Sequence, residues 1–401
     1  MHRRTLMLGS GAALLGAREA AAAGALSDPG LPAGTREVAE MASPPGKVKL
    51  IRLTDRPPNY ETPLEAFRTP ITPNNRFFVR YHLAELPTMA ELKDWTLTLG
   101  GDAAAGTAKL TLADLRRLPA AEVTAVCQCA GNRRGLFSPH VPGVQWSIGA
   151  MGCARWRGAR LRDVLKLVGM KPEALEVRFH GSDHGPLSET PIFRKSLPMA
   201  RALDPTTLIA WEMNGTRLPL ENGFPARIIV PGWTATYWMK HVSSIDITSA
   251  EDDGFWMQKA YRVPHGVFPA AAPFPSQGTA QNSPVTDIVV NTLVTDPVAD
   301  SRVHAGGFED RGIAWDGGSG IHQVEVSIDE GKTWQTAKLD KDLGPFAFRA
   351  WRHPIARVAP GPVALRVRAT ANNGAVQPDQ LIFNPAGYHN NAVRTVHVVA
   401  A

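Results

Sequence analysis

The chain has 401 residues, 44% hydrophobic and 20% charged, with three cysteines and a formal net charge of +6. That length allows two or three domains with sizeable cores, the composition is that of an ordinary globular protein, and three cysteines exclude a disulfide-rich scaffold. Mild basicity suits an anionic substrate, and with no basic run interleaved with aromatics, nucleic acid is not an expected partner.

The first segment, "MHRRTLMLGSGAALLGAREAAAAG", joins the pair Arg3-Arg4 to a short apolar run and the small residues Ala20–Ala23. It reads as a twin-arginine export signal over residues 1–23, which places the mature chain in the periplasm. The apolar run is about half of the ~20 residues that a membrane span needs, so no anchor is expected. Removing Arg3, Arg4, Arg18 and Glu19 with this leader lowers the charge from +6 by two, to +4. Residues 24–45, rich in Ala, Gly and Pro, read as a linker.

Residues 46–267 mix α and β signals. "WTLTLGG" (95–101) alternates as a strand and ends in a Gly-Gly turn. "TLADLRRLP" (111–119) reads as a short helix capped by Thr111 and stopped by Pro119. "LRDVLKLVGM" (161–170) is helix-like up to Gly169, and "ALEVRFHG" and "ARIIVPGW" read as strands. A second linker, 268–284, has Pro, Ala and Ser without periodicity. From 285 to 401 about seven short alternating segments, separated by turn words such as "DEGK" and "ANNG", predict an all-β, immunoglobulin-like sandwich that lacks cysteine.

The stretch "AVCQCAGNRR" (125–134) carries the first chemical signal. A β-branched run delivers Cys129 to a turn in which Gly131 and Asn132 tolerate positive φ, and Arg133 and Arg134 follow. Such charge favours a thiolate, which could serve as nucleophile, redox thiol or soft-metal ligand. Cys127 and Cys153 are expected to be small buried hydrophobes. Cys127-x-Cys129 is too tight for a zinc site, and His180 and His184 lie in a glycine-flanked loop. In "NNRFFVRYHL", Arg80 and His82 stand two apart, on one face of a strand.

Taken in order, the words R-x-H-L, QCAGNRR, W-x-I-G-A…ARW-G, GFP-x-R…VPG and W-x-x-x-x-Y resemble the sulfite oxidase family of molybdopterin enzymes over residues 70–265. Among its members the best fit is the haem-free exported sulfite dehydrogenases, since no C-x-x-C-H is present. The resemblance implies an α+β molybdopterin-binding domain of the sulfite oxidase type, followed by the immunoglobulin-like sandwich as a dimerisation domain, hence a homodimer. It implies that Cys129 ligates molybdenum carried by molybdopterin, and that Arg80 and Arg134 bind sulfite, with Trp146 as one wall and Tyr261 donating a hydrogen bond. Arg133 would be a structural ion-pair partner. The cofactor would be held by Phe78, Val79, Arg80, Tyr81, His82, Asp183, Asn222, Arg227, Trp238, Met239 and Lys240. Asn222 stands where many members have a histidine before GFP. The implied reaction is the two-electron oxidation of sulfite to sulfate, with electrons passed singly to a periplasmic c-type cytochrome. A periplasmic molybdenum-dependent methionine sulfoxide reductase and a cofactor-free secreted binding protein are the competing readings.

Overall fold

A computed structural model describes residues 40–42, 44–264, 277–278 and 282–401. The leader 1–23, nearly all of the linker 24–45 and most of the linker 268–284 lie outside the described residues.

The β-branched run before Cys129 forms the strand Ala120–Gln128. It pairs antiparallel along its whole length with Met151–Arg160, from Ala120 against Ala159 to Gln128 against Met151. That long strand pairs in turn with Leu208–Met213, which also takes Arg227–Ile229 and Thr216–Arg217. A second sheet of the same domain has the order Arg194–Pro198, Glu176–His180, Ser244–Thr248, Thr96–Gly100 and Ala108–Thr111, with one parallel pair, Ser244–Thr248 against Thr96–Gly100. A third holds Glu40–Ala42, Leu50–Asp55, Pro58–Glu61 and Val79–Arg80. Helices are few and short. Leu112–Arg117 is closed by a capping box between Thr111 and Asp114. The segment predicted as a helix over 161–170 is helical only at Leu161–Leu165. Its last turn closes on Gly169 at φ +70, whose carbonyl accepts from the Ala105 amide, so the chain leaves the helix to meet residues 103–105.

The second domain stacks a four-stranded sheet, Asn291–Asp296, Phe308–Trp315, Arg349–Ile355 and Lys338–Leu339, on a five-stranded one, Arg302–Val303, Arg394–Ala400, Gly361–Ala371, Ile321–Ser327 and Gln335–Thr336. This is the expected sandwich. Phe308–Trp315, central in its sheet, is absent from the sequence reading because Glu309, Asp310, Arg311 and Gly312 break its apolar alternation.

The two domains share an apolar cluster in which Phe67, Val126, Ile148 and Met151 meet Ile288, Leu293, Trp315 and Phe348. Polar contacts reinforce it: the Trp315 indole donates to Gln128 Oε1 at 2.7 Å and the Val126 amide to the Phe346 carbonyl at 2.8 Å. Among the described residues no helix is long and apolar enough to cross a membrane.

Strand pairing leaves no room at some positions. A Cβ on Gly158 would lie 2.0 Å from the Ile209 carbonyl oxygen on the neighbouring strand. Gly158→Ala is expected to destabilise the protein by about 2–3 kcal/mol, measured as a lower denaturant midpoint at unchanged slope.

Candidate active site

The turn after Ala120–Gln128 holds Cys129 by its backbone. The Cys129 amide donates to the Ala150 carbonyl at 2.9 Å, and its carbonyl accepts from the Asn132 amide at 3.0 Å. Asn132 is 3% exposed, and its side-chain oxygen accepts from the Ala150 amide, tying the turn to the adjoining segment. The left-handed residue of the turn is Arg133, at φ +67, and not Gly131 or Asn132 as the sequence suggests. Gly131 is needed for a different reason: a Cβ there would fall 2.5 Å from the Arg134 guanidinium.

Cys129 lines a cavity. Its walls come from five parts of the chain: Phe77, Phe78 and Arg80–His82; Cys127, Cys129 and Ala130; Asp183 and Phe193; Asn222, Arg227 and residues between Ala235 and Lys240; and Tyr261. Arg80 donates to Asn59 Oδ1 at 3.2 Å and to the Tyr81 carbonyl. Burial works against the charge on Arg80, but the Tyr261 phenol and the Cys129 thiol facing it hold the guanidinium charged. His82 Nε2 is hydrogen-bonded to the Tyr261 hydroxyl, and its ring stacks on Phe193 at 3.8 Å. Burial, with Arg80, Lys195 and Lys240 nearby, drives His82 well below the usual histidine range, so it is neutral.

At the opposite end, Arg227 donates to the Asn222 carbonyl at 2.9 Å and the Trp238 carbonyl at 3.2 Å, and lies 3.8 Å from Cys127 Sγ. Lys240 donates to the Glu221 carbonyl at 2.7 Å and sits 3.5 Å from the centre of the Tyr81 ring. Burial, then Arg227, depresses the Lys240 ammonium well below the usual lysine range. Asp183 is the one carboxylate among the described residues that line the cavity, and burial raises it. Cations therefore outnumber acids in a desolvated space.

Not every sequence-predicted residue reaches the cavity. Val79 points the other way, into a cluster with Leu50, Tyr60 and Tyr81, because alternation along the strand puts it opposite Arg80. Trp146 is fully buried in the domain core and is not among the lining residues. Arg134 is not among the lining residues: it donates to the Ala386 carbonyl at 3.3 Å and the Val144 carbonyl at 3.2 Å, and its guanidinium lies over the Tyr388 ring. Arg133, expected in an ion pair, donates to the Thr292 carbonyl at 2.5 Å, and its own carbonyl accepts from Asn390, so it serves the domain junction. Arg80 and His82 both line the cavity, but only Val79–Arg80 is strand and the chain bends before His82.

Other residues escaped the sequence reading. Cys127 lines the cavity, its thiol raised by burial although Arg227 faces it; Cys153, by contrast, is enclosed and pushed up to about 12. Phe193 and Thr236 carry no motif. Lys47 is the least expected: 8% exposed, it donates to Asn222 Oδ1 and to the Asn74 carbonyl at 2.6 Å. A cation thus stands beside the asparagine that replaces the expected histidine. Among the described residues no three His, Cys, Asp or Glu side chains come together as a metal-binding group.

Burial pushes Lys47 down to about 7 from 10.5. Between those two values the unfolded chain holds a proton that the folded chain has released, so stability rises with pH across the interval. Cofactor-free protein is expected to gain stability from about pH 7 to 10, and Lys47→Met to reduce that slope by up to about 1.4 kcal/mol per pH unit. Denaturant unfolding of the two proteins at several pH values checks this.

Residues 83–256 match the family model described as the oxidoreductase molybdopterin binding domain, and residues 282–400 match the Mo-co oxidoreductase dimerisation domain. Mitochondrial sulfite oxidase of Macaca fascicularis is 35% identical over 87% of this chain and 65% of its own length. Sulfite oxidase of Gallus gallus is 34% identical over 92% of this chain and 82% of its own. The crystal structure of the sulfane dehydrogenase SoxCD from Paracoccus pantotrophus superposes with a TM-score of 0.74 at 26% identity, covering 92% of this chain and 90% of that one. The chain spans 65% of the length of the mammalian enzyme in this group.

Proposed function

Because this chain belongs to the sulfite oxidase family of molybdopterin enzymes, we propose that it oxidises sulfite to sulfate in the periplasm as a haem-free dehydrogenase. Its electrons leave singly to a separate c-type cytochrome, and it works as a homodimer joined through the second domain. The observation that carries the reading is the cavity of excess buried positive charge into which Cys129 opens.

The residues fit the cofactor. Arg80 Nε, Arg227 Nε and Thr236 Oγ1 are buried without a hydrogen-bond partner among the described residues, all on the cavity wall. Unpaired buried donors are costly, and an anionic, acceptor-rich ligand relieves them. Arg227, Lys240 and Asn222, with Lys47 behind, would hold its phosphate and pterin groups, and Cys129 would supply the protein ligand to the metal. When bound, molybdopterin supplies the metal's two-electron redox chemistry and oxygen transfer.

The chain's own residues do the rest. Sulfite and water give sulfate, two protons and two electrons. Arg80 presents a planar charged fork suited to a small oxyanion. The Tyr261 hydroxyl, shared with neutral His82, stays protonated because burial raises the phenol, so it can donate to an anion. Phe193 and Trp256 pack around His82 and exclude water from that end.

Cys129→Ser is expected to abolish sulfite turnover with ferricyanide as acceptor and to remove molybdenum, about one atom per chain in the parent protein. Full activity in the variant would refute the reading, as would reduction of methionine sulfoxide with a viologen donor in place of sulfite oxidation by the parent. Arg80→Gln is expected to raise the KM for sulfite by about 10- to 150-fold, the equivalent of losing one charge-assisted hydrogen bond at about 1.5–3 kcal/mol, with the unfolding midpoint little changed; steady-state kinetics and thermal unfolding measure both.

A further inference from the structure

A residue of the other domain packs against the phenol that lines the cavity. Tyr388 lies in the turn Asn384–Tyr388, which is braced internally: Asn384 donates to the Tyr388 carbonyl at 2.9 Å, and its side-chain oxygen accepts from the Tyr388 amide at 3.1 Å. The Tyr388 ring stacks on Tyr261, centroids 5.4 Å apart and planes within 18°. The Arg134 guanidinium covers the same ring, 5.3 Å from its centre. Tyr388 thus touches both the phenol that faces the cavity and the Arg134 guanidinium.

The room for this stack is built in. A Cβ on Gly387 would fall 2.7 Å from the Arg134 side chain, and one on Gly131 would meet the guanidinium at 2.5 Å. Arg134 also donates to the carbonyl of Ala386, in the same turn. Tyr388, Ala386, Val285, Val263, Ala130 and Tyr261 form one buried cluster, so the second domain reaches to within one residue of Cys129. Tyr261 itself has φ +57, a conformation that a bulky residue holds only when its surroundings impose it.

We propose that Tyr388 is a positioning residue for the reaction: it clamps the Tyr261 ring so that its hydroxyl stays on His82 and Arg80. Catalysis at the first domain then requires the second domain to be docked. As far as turnover is concerned, this rests on the sulfite reading above; the orientation of Tyr261 does not.

The test uses the full-length holoenzyme with Tyr388→Phe and Tyr388→Leu, each alone and with Tyr261→Phe. Phenylalanine keeps both ring contacts, so kcat is expected to stay within about twofold of the parent. Leucine fills the space without the stack, and kcat is expected to fall by about tenfold or more while KM moves less than about threefold. In the Tyr261→Phe background the same leucine is expected to cost less than about twofold, since its effect passes through the lost hydroxyl. A merely structural role predicts equal losses in both backgrounds.

A second readout needs no activity. Tyr261 is buried in the parent, and tetranitromethane is expected to leave it unmodified there and to nitrate it in Tyr388→Leu, read by peptide mass spectrometry. If leucine disrupts the domain contact, seen as a lowered unfolding midpoint, Tyr388→Met replaces it. A kcat near the parent's in the leucine or methionine variant, equal losses in both backgrounds, or unchanged nitration would overturn the proposal. If the parent enzyme does not oxidise sulfite, that reading falls, and nitration alone decides the clamp.

Discussion

The structure depends on one electrostatic constraint: positive charge is buried around Cys129 with too little acid to balance it. Arg80, Arg227 and Lys240 line one cavity, Lys47 stands behind it, and Asp183 is the only carboxylate on the wall among the described residues. Desolvation drives the lysines and His82 toward their neutral forms. A protein that sought only stability would not gather cations this way. The arrangement makes sense when an anionic cofactor and an anionic substrate complete it.

The same constraint explains why so much of the domain supports so few side chains. Buried arginines need carbonyl acceptors, and irregular segments supply them: Asn222 and Trp238 for Arg227, Tyr81 for Arg80, Ala386 and Val144 for Arg134. Regular strands have already used their carbonyls in the ladder. The three sheets of the first domain therefore act as a rigid frame, with the chemistry placed on the connections between strands.

The second domain is part of the site and not only an appendage to it. An apolar cluster and the Arg133–Thr292 and Asn390–Arg133 hydrogen bonds lock it against the turn that carries Cys129. The left-handed conformation of Arg133 directs its carbonyl and side chain to that junction. Two adjacent arginines, alike on paper, thus divide their work between joining the domains and packing against Tyr388.

By itself the sequence determined the two-part α+β and all-β architecture, the family, and the segments that meet at the cavity. These follow from local signals: period-two alternation, a capping Thr, Gly and Pro breaks, and short words whose order survives without coordinates. Only the tertiary structure decided which arginine faces the cavity, that the positive φ falls on Arg133, that Cys127 lines the wall beside Cys129, and that Lys47 and Tyr388 arrive from far along the chain. The direction of a side chain in a turn is set by whatever packs against it. Here those partners are 175 residues away for Lys47 and Asn222, and 252 for Arg134 and Ala386, beyond the reach of any periodicity or spacing rule.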